Sequence, residues 1–466
     1  MPEHRQGPRQ APQKRDRPGA ATGGRAIRLP AGFEARMAAA QIVEAVLDRQ
    51  RTLDEALDAV LPGAGLEPRD RAFARLLAAT VLRRTGTLEA LLNAHLQRRP
   101  REGLVWPILL TGAAQLAMLD TPPHAAISLA VDLIAADRRS HHLKGLVNAV
   151  LRKVAANGPA LLAATDPVTD SVTTDIPKWL LDRWSAAYGA NTARDIAVAS
   201  LNEAALDISV KSDADGWAQR LGGIVLPTGS VRVLAKGQIE ALPGFDDGEW
   251  WIQDTAATLP PRLLGPVEGL RVADLCAAPG GKTAWLAAAG AVVTAVDSSQ
   301  LRLQRLRTNL DRLRLTAEIV EADINTWRPD ALFDAVLLDA PCTATGTLRR
   351  HPDILRIRTA VDVTRLATIQ ADLLEAAARL VRPGGRLVYC TCSLEAEEGP
   401  DQIQAFLSRN PSFERQAVVA TDVGGLAEVV TADGDVRTLP SQLAHVEPGY
   451  SGIDGFYIAR LVRRDA

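Results

Sequence analysis

The sequence predicts a multidomain chain: an all-α helical bundle, a small α/β subdomain and a doubly wound, Rossmann-like α/β domain. Three observations predict it. At 466 residues the chain has room for more than one core at about 150 residues per domain. Apolar residues recur at helical spacing across residues 35–154, with no strand-like alternation. After Gln253-Asp254 the pattern changes to short, nearly continuous apolar runs separated by amphipathic stretches.

In chain order, residues 1–30 are rich in Pro, Gly, Arg and Gln and carry seven Lys/Arg against two acids. Such a segment buries too little apolar surface to offset ordering entropy, so a disordered basic tail is expected. Residues 31–158 form the expected bundle, its helix faces marked by Met37, Val43 and Val46, by Phe73, Leu77 and Val81, by Ile127, Val131 and Ile134, and by Val147, Val150 and Val154. Pro122 and Pro123 precede the Ile127 helix, where a proline ring removes an amide that lacks a partner anyway. Residues 157–175 read as a Pro/Thr/Asp-rich connection. Residues 170–248, with Trp179, Leu180, Trp184 and Tyr188 at helical spacing and then mixed patterning, read as the small subdomain. Residues 249–466 hold the α/β domain. Its runs 270–275, 291–296, 317–320, 335–338 and 386–389 are apolar on both faces, as befits a parallel sheet covered by helices on both sides.

The net charge of −2 conceals a gradient, with a basic tail and bundle ahead of an acidic remainder. An N-terminal part that meets a polyanion fits this pattern, and so does a solvated tail on a neutral bundle. The four cysteines, Cys276, Cys342, Cys390 and Cys392, all lie in the C-terminal half. A secreted disulfide framework is denser and more spread out, so reduced thiols and a cytoplasmic location are expected. The longest uncharged segment, 103–119, is interrupted by Pro107, Thr111, Gly112 and Gln115, and no signal-peptide succession occurs, so no membrane partner is expected.

The first apolar run of the α/β domain leads into Asp274-Leu-Cys276-Ala277-Ala278-Pro279-Gly280-Gly281-Lys282-Thr283. Small residues and two glycines at a strand's carboxyl end admit a ligand to the backbone, and the following helix start offers free N–H groups. The spacing matches neither a Walker loop nor the dinucleotide Gly-x-Gly-x-x-Gly, so phosphate is not the expected ligand. The next strands end at Asp297, Asp323 and Asp339. One such acid alone reads most simply as a helix cap, but successive strand ends place carboxylates along the rim where open α/β sheets bind ligands. They point to a nucleoside cofactor without pyrophosphate, for which S-adenosylmethionine is the candidate. Lys282 is the only lysine after Lys236, which suits a compact cation in that pocket.

Asp339-Ala-Pro-Cys342 and Tyr389-Cys390-Thr-Cys392-Ser393 close two strands that such a sheet makes neighbours, so Cys342 and Cys392 are expected to face one pocket. Methyl transfer to C5 of cytosine gives thiols a purpose there. That carbon becomes nucleophilic only once a thiolate adds at C6, and a base must remove the C5 proton before the thiol leaves. An acid near N3 stabilises the adduct, which suits Asp339. Cys276 and Cys390 read instead as small packed hydrophobes. No Cys-x-x-Cys occurs, so no metal is expected. Arg349 and Arg350 read either as phosphate contacts or as a solvated pair, and His351 as a surface loop residue.

Together these motifs resemble the RNA cytosine-C5 methyltransferases of the NOL1/NOP2/Sun family. The matching residues are 274–283, Asp297, Asp323, Asp339-Ala-Pro-Cys342 with Thr345-Gly346, residues 349–353, Thr391-Cys392-Ser393 and residues 454–460. The bundle resembles the antitermination factor NusB through Asp70-Arg-Ala-Phe-Ala, Leu82-Arg-Arg, Pro123-His-Ala-Ala126 and residues 147–152. That combination resembles the Sun branch, which acts on small-subunit (16S) ribosomal RNA. The resemblance implies that Cys392 is the nucleophile and that Cys342 assists product release. It implies too that Cys276, Ala277, Ala278, Pro279, Gly280, Gly281, Lys282, Asp297, Asp323 and Asp339 line the S-adenosylmethionine site. A monomer with ribosomal RNA as partner is expected, and no DNA: a DNA cytosine methyltransferase would carry Glu-Asn-Val after the Pro-Cys strand, which is absent. The alternative from another class is a non-catalytic RNA-binding ribosome-assembly or antitermination factor, which a degenerate pocket would favour.

Overall fold

A computed structural model of the chain describes residues 30–164, 169–234 and 239–465. The basic tail expected over 1–30 lies, apart from Pro30, outside the described residues. The bundle is built from α1 (Phe33–Leu47), α2 (Leu53–Val60), α3 (Pro68–Arg83), α4 (Thr85–Asn93), α5 (Val105–Ala117), α6 (Pro123–Ala136) and α7 (Lys144–Ala164). Local sequence sets where these helices begin. Thr52 and Glu55 form a capping box at α2, the Glu55 amide donating to Thr52 Oγ1 at 3.3 Å and the Thr52 amide to Glu55 Oε2 at 2.9 Å. Pro68 and Pro123 open α3 and α6. Helix α5 is buried almost all round, and Gly112 lets α7 approach it: a Cβ there would stand 2.7 Å from Leu151 Cδ1.

The connection expected over 157–175 is largely helical instead. Helix α7 continues to Ala164, and α8 (Thr169–Asp175) follows after residues 165–168, which lie outside the description. Tertiary contacts invisible to composition explain α8. Val172 and Ile176 bury against Leu180 and Trp184, and the buried Asp175 carboxylate accepts from the Thr87 amide at 2.8 Å and the Thr87 hydroxyl at 2.6 Å.

Helices α9 (Lys178–Tyr188) and α10 (Ala190–Ser200) lead to β1 (Leu206–Val210), α11 (Ala214–Leu221), β2 (Ile224–Val225), β3 (Val231–Val233) and β4 (Trp250–Ile252). These strands form an antiparallel sheet in the order β2-β3-β1-β4, with Ile208, Trp217, Val231 and Trp250 in its core.

The α/β domain runs through α12 (Leu259–Arg262), β5 (Arg271–Leu275), α13 (Gly281–Ala288), β6 (Val292–Asp297), α14 (Gln300–Leu313), β7 (Glu318–Glu321) and β8 (Phe333–Asp339). It continues with α15 (Ile354–Ile357), α16 (Ala360–Leu380), β9 (Val381–Thr391), α17 (Pro400–Arg409), β10 (Phe413–Arg415), β11 (Val436–Arg437) and β12 (Tyr457–Arg463). The sheet has the order β10-β12-β9-β8-β5-β6-β7, with β11 paired to β12. The five expected strands form its parallel part, and chain order reverses between β5 and β8, the switch point where open sheets bind ligands. The sheet is nevertheless mixed and not wholly parallel as expected: β12 lies antiparallel against β9, and β10 and β11 lie antiparallel against β12. Strands β10 and β11 are three and two residues long, too short to carry a period. An antiparallel strand also needs no helical crossover to announce it.

All three parts meet at residues 349–356. Arg350 Nη2 reaches Asp254 Oδ2 at 2.6 Å, its Nε reaches Asp454 Oδ2 at 3.2 Å, and its Nη1 donates to the Ala205 carbonyl at 3.0 Å. Asp207, 3.8 Å from the same guanidinium, is gripped by Arg232 through bonds of 2.6 and 2.7 Å. Toward the bundle, Arg83 of α3 donates to the Arg349 carbonyl at 2.9 Å, the Leu53 amide donates to Asp353 Oδ2 at 3.0 Å, and Arg356 donates to Leu82 O and Asp175 O. Arg349 and Arg350 are therefore neither phosphate contacts nor a solvated pair, and His351 is half-buried. Burial opposes the charge on Asp254, yet Arg350 holds its carboxyl below the usual range.

Replacing Arg350 with Met leaves Asp207, Asp254 and Asp454 with less countercharge in a buried setting. The unfolding midpoint is expected to fall by roughly 10 °C, as for removal of one partner of a buried ion pair. Arg305→Ala, which breaks an exposed pair with Asp58 of α2, should shift it by less than about 3 °C in the same calorimetric scan.

Candidate active site

Strand β5 ends at Leu275, and the turn that follows needs unusual backbone. Cys276 has φ 58° and Gly280 has φ 103°, where a Cβ would also stand 2.9 Å from Leu306 Cγ. The turn is pinned from β6 and α14. Asp297 Oδ2 accepts from the Ala278 amide at 3.2 Å, Asn309 donates to Pro279 O at 2.9 Å, and Arg302 donates to Ala278 O. Ala277, Ala278, Gly280 and Lys282 are buried, Cys276 and Gly281 half-buried, and Pro279 exposed. Asp297 is buried, whereas Asp323 is exposed, with Oδ1 taken by the Asn325 amide at 3.0 Å.

Two carboxylate oxygens at this end of the sheet are left without a hydrogen-bond partner among the described residues. Asp323 Oδ2 has no partner among the described residues and faces solvent, free to accept from an amino or hydroxyl group. Beneath the loop, Asp274 Oδ1 is buried without a partner while Oδ2 accepts from Thr283 Oγ1 at 2.6 Å. Burial pushes the Asp274 carboxyl up to about 7.

The thiols come from the next pair of strands. Strands β8 and β9 pair in parallel with Asp339 opposite Cys390, so the segments leaving them start side by side. Cys342 Sγ lies 3.4 Å from Cys392 Sγ. Asp339 is held at both oxygens: Lys282 Nζ donates to Oδ2 at 2.7 Å and the Cys390 thiol to Oδ1 at 3.3 Å. Cys390 is packed in the strand as expected, with the added task of orienting Asp339. Burial disfavours the Lys282 ammonium, but the Asp339 carboxylate outweighs it and raises the lysine above its usual value. The contact with Cys392, reinforced by burial, pushes the Cys342 thiol well above its usual value, so Cys342 keeps its proton. Burial likewise keeps Cys276 a neutral thiol.

Sequence reasoning missed the residues that hold the two cysteine segments. Glu398, in the turn Ala396–Glu398, is fully buried and accepts hydrogen bonds from Thr343, Ser393 and Gln370. Within Glu395-Ala-Glu-Glu398 it looks like part of a solvent-facing acidic run, and no spacing rule separates it from its neighbours. Gly346, of the Thr345-Gly346 motif, is needed for a steric reason: a Cβ there would stand 1.9 Å from Gly455 O.

The raised Asp274 carboxyl gives a pH signature. Between about pH 4 and 7 the folded chain holds a proton here that the unfolded chain releases, so this group's stabilising contribution declines as pH rises across that window and levels off above 7. Asp274→Asn has no such proton, and its unfolding midpoint should fall less between pH 5 and 7.5 than that of the parent in parallel thermal scans.

Comparison with known proteins agrees with this layout. Residues 261–462 match the family model described as 16S rRNA methyltransferase RsmB/F, and residues 34–156 match the NusB family. Ribosomal RNA small subunit methyltransferase B of Xylella fastidiosa (strain Temecula1) is 38% identical over 451 residues, spanning 93% of this chain and 98% of that protein. The protein of the same name from Xanthomonas campestris is 36% identical over 461 residues, with the same coverage. Among solved structures, that of PH0851 covers 91% of this chain and 98% of its own with a TM-score of 0.72 at 21% identity, a likeness of fold. The chain belongs to the ribosomal RNA small subunit methyltransferase B family, with a NusB-type bundle ahead of its methyltransferase domain.

Proposed function

We propose that this chain methylates C5 of a cytidine in 16S ribosomal RNA, with S-adenosylmethionine as methyl donor, Cys392 as nucleophile and Cys342 assisting product release. The observation that carries the reading is the 3.4 Å approach of the two sulfurs beside the Lys282–Asp339 pair, at the carboxyl ends of adjacent parallel strands. A methyl transfer to nitrogen or oxygen needs no thiol; activation of a pyrimidine C5 does. The turn over 276–282, with Asp297 and Asp323, is the part of the rim suited to the donor's nucleoside. Residues 249–466 carry the chemistry, while the bundle of 31–158 and the small subdomain of 170–248 hold RNA, with the protein acting as a monomer in the cytoplasm on RNA and not on DNA.

In this reading an extruded cytidine enters between Asp339 and the thiols. The Cys392 thiolate forms a bond to C6, and the electron pair of the C5–C6 double bond moves toward the ring nitrogen, leaving C5 nucleophilic. A proton supplied at N3 from the Lys282–Asp339 pair neutralises the developing charge. S-adenosylmethionine, held by the turn over 276–282 with Asp297 and Asp323, would supply the methyl group at C5. Loss of the C5 proton to a base, with return of the N3 proton to the Lys282–Asp339 pair, restores the ring's double bonds and breaks the bond to Cys392. Cys342 assists by giving its retained proton to the departing sulfur.

Cys392→Ala should lower methyl transfer by at least about 10³-fold, the scale of removing a covalent nucleophile. Cys342→Ala should instead accumulate a protein–RNA adduct that survives denaturing electrophoresis. Bisulfite sequencing of 16S RNA incubated with each variant and S-adenosylmethionine reads the first outcome, and denaturing electrophoresis of the same mixtures reads the second. Methylation by Cys392→Ala at the parental rate would overturn the assignment, and absence of any S-adenosylmethionine binding by calorimetry would favour a non-catalytic RNA-binding assembly factor.

A further inference from the structure

The sheet does not by itself fix how the two thiols meet. Beyond the Asp339–Cys390 register, the backbone bonds between the two segments run from the Ala340 amide to Cys390 O and from the Gly346 amide to Cys392 O, each 3.0 Å. Residues 341–345, which carry Cys342, are held by side chains between those two points. Glu398 is at the centre of them. Its Oε1 accepts from the Thr343 amide at 2.9 Å and from Gln370 Nε2 at 3.0 Å. Its Oε2 accepts from the Thr343 hydroxyl and from the Ser393 hydroxyl, the latter at 2.5 Å. Thr343 directly follows Cys342, and Ser393 directly follows Cys392. The carboxylate therefore bridges the residues next to the two thiols.

Glu398 is itself anchored. Its carbonyl accepts from Tyr389 Oη at 2.9 Å and Thr391 Oγ1 at 3.0 Å, two side chains on the face of β9 opposite Cys390. Gln370 of α16 adds a second tie, donating from the same nitrogen to Pro341 O at 2.9 Å. Among the described residues no Arg or Lys pairs with Glu398, so a fully buried carboxylate is sustained by neutral donors alone. An apolar side chain of similar volume would pack there with less loss of solvation. What the carboxylate adds is four directed bonds converging from two separate segments.

We infer that Glu398 is the positioning residue that sets the approach of Cys342 to Cys392, acting through Thr343 and Ser393 without reaching the substrate. The inference rests on the reading in which those thiols work on the ring. It makes an atom-level distinction between variants. A glutamine can keep its oxygen toward the two N–H donors and turn its amide toward the two hydroxyls, which rotate to accept, so Glu398→Gln preserves the bridge. Glu398→Ala removes it, and Thr343→Val removes one hydroxyl arm while leaving the amide arm.

The test uses the full-length protein and two readouts. One is kcat for RNA methylation alongside S-adenosylmethionine affinity. The other is the rate at which diamide, itself reduced to a hydrazine, oxidises the Cys342 and Cys392 thiols to a disulfide, followed by peptide mass mapping. Glu398→Ala should lower kcat by about 10²-fold, the cost of a displacement of roughly 1 Å at a reacting group, with cofactor affinity within about twofold of the parent. It should also slow the disulfide, while Glu398→Gln restores kcat to within about threefold of the parent. Thr343→Val should fall between, at about tenfold, and carries the test if Glu398→Ala fails to fold. Parental kcat and parental bridging in Glu398→Ala overturn the inference, as does a Glu398→Gln variant as impaired as Glu398→Ala. Slow bridging with parental kcat upholds Glu398 as the clamp and overturns instead the catalytic reading of the thiols.

Discussion

The register of β8 against β9 is the constraint on which the rest of the site depends. With Asp339 opposite Cys390, the two strands deliver Pro341-Cys342 and Thr391-Cys392 to the same edge of the sheet, and the thiols meet at 3.4 Å. A slip of one residue would turn Cys390 and Cys392 to the opposite face and exchange them with Tyr389 and Thr391. Those two now serve that face, where they hold the carbonyl of Glu398. The alternation of a single strand thus divides labour: one face carries sulfur to the pocket, and the other carries the hydroxyls that brace the turn behind it.

Given that register, the acids and thiols separate by environment. Asp339 is flanked by the Lys282 ammonium and the Cys390 thiol, one at each oxygen. Asp274, a few residues before Lys282 in sequence, is buried with only Thr283 to satisfy it, and its carboxyl is pushed up. Cys342, pressed against the sulfur of Cys392, retains its proton. Asp274 and Cys342 are thereby both held toward their neutral forms, by burial and by a neighbouring sulfur respectively.

Much of this was legible in sequence because the chemistry-bearing residues sit at strand ends, and strand ends are marked by the change from apolar runs to small residues. Cys342 and Cys392 could be brought together from the order of the strands alone. What the sequence did not reveal lies in contacts between distant segments. Glu398 resembles a surface acid, α8 resembles a linker, and β10 and β11 are too short to register as strands. Arg349 and Arg350 mislead most, since paired arginines next to a basic bundle suggest phosphate, yet Asp254 and Asp454, some hundred residues away on either side, draw Arg350 inward. Composition records that charges exist, while only the fold decides which of them meet water.

That inward turn ties catalysis to the joint between domains. The segment carrying Cys342 continues without interruption into Arg349, Arg350 and Asp353, which bind the small sheet, the closing part of the α/β domain and the bundle. Midway, Gly346 is pressed against Gly455, next to the Asp454 that grips Arg350. The stretch from Asp339 to Arg356 is consequently fixed at its strand end, at Glu398, at Gly455 and at α3. An apolar joint of the same area would avoid the desolvation of three carboxylates and their arginines, but it would tolerate sliding. Directional bonds do not, so the helical bundle and small subdomain are held in one orientation relative to the thiols. The position of the thiol pocket is thereby set relative to both outer parts before anything binds to them.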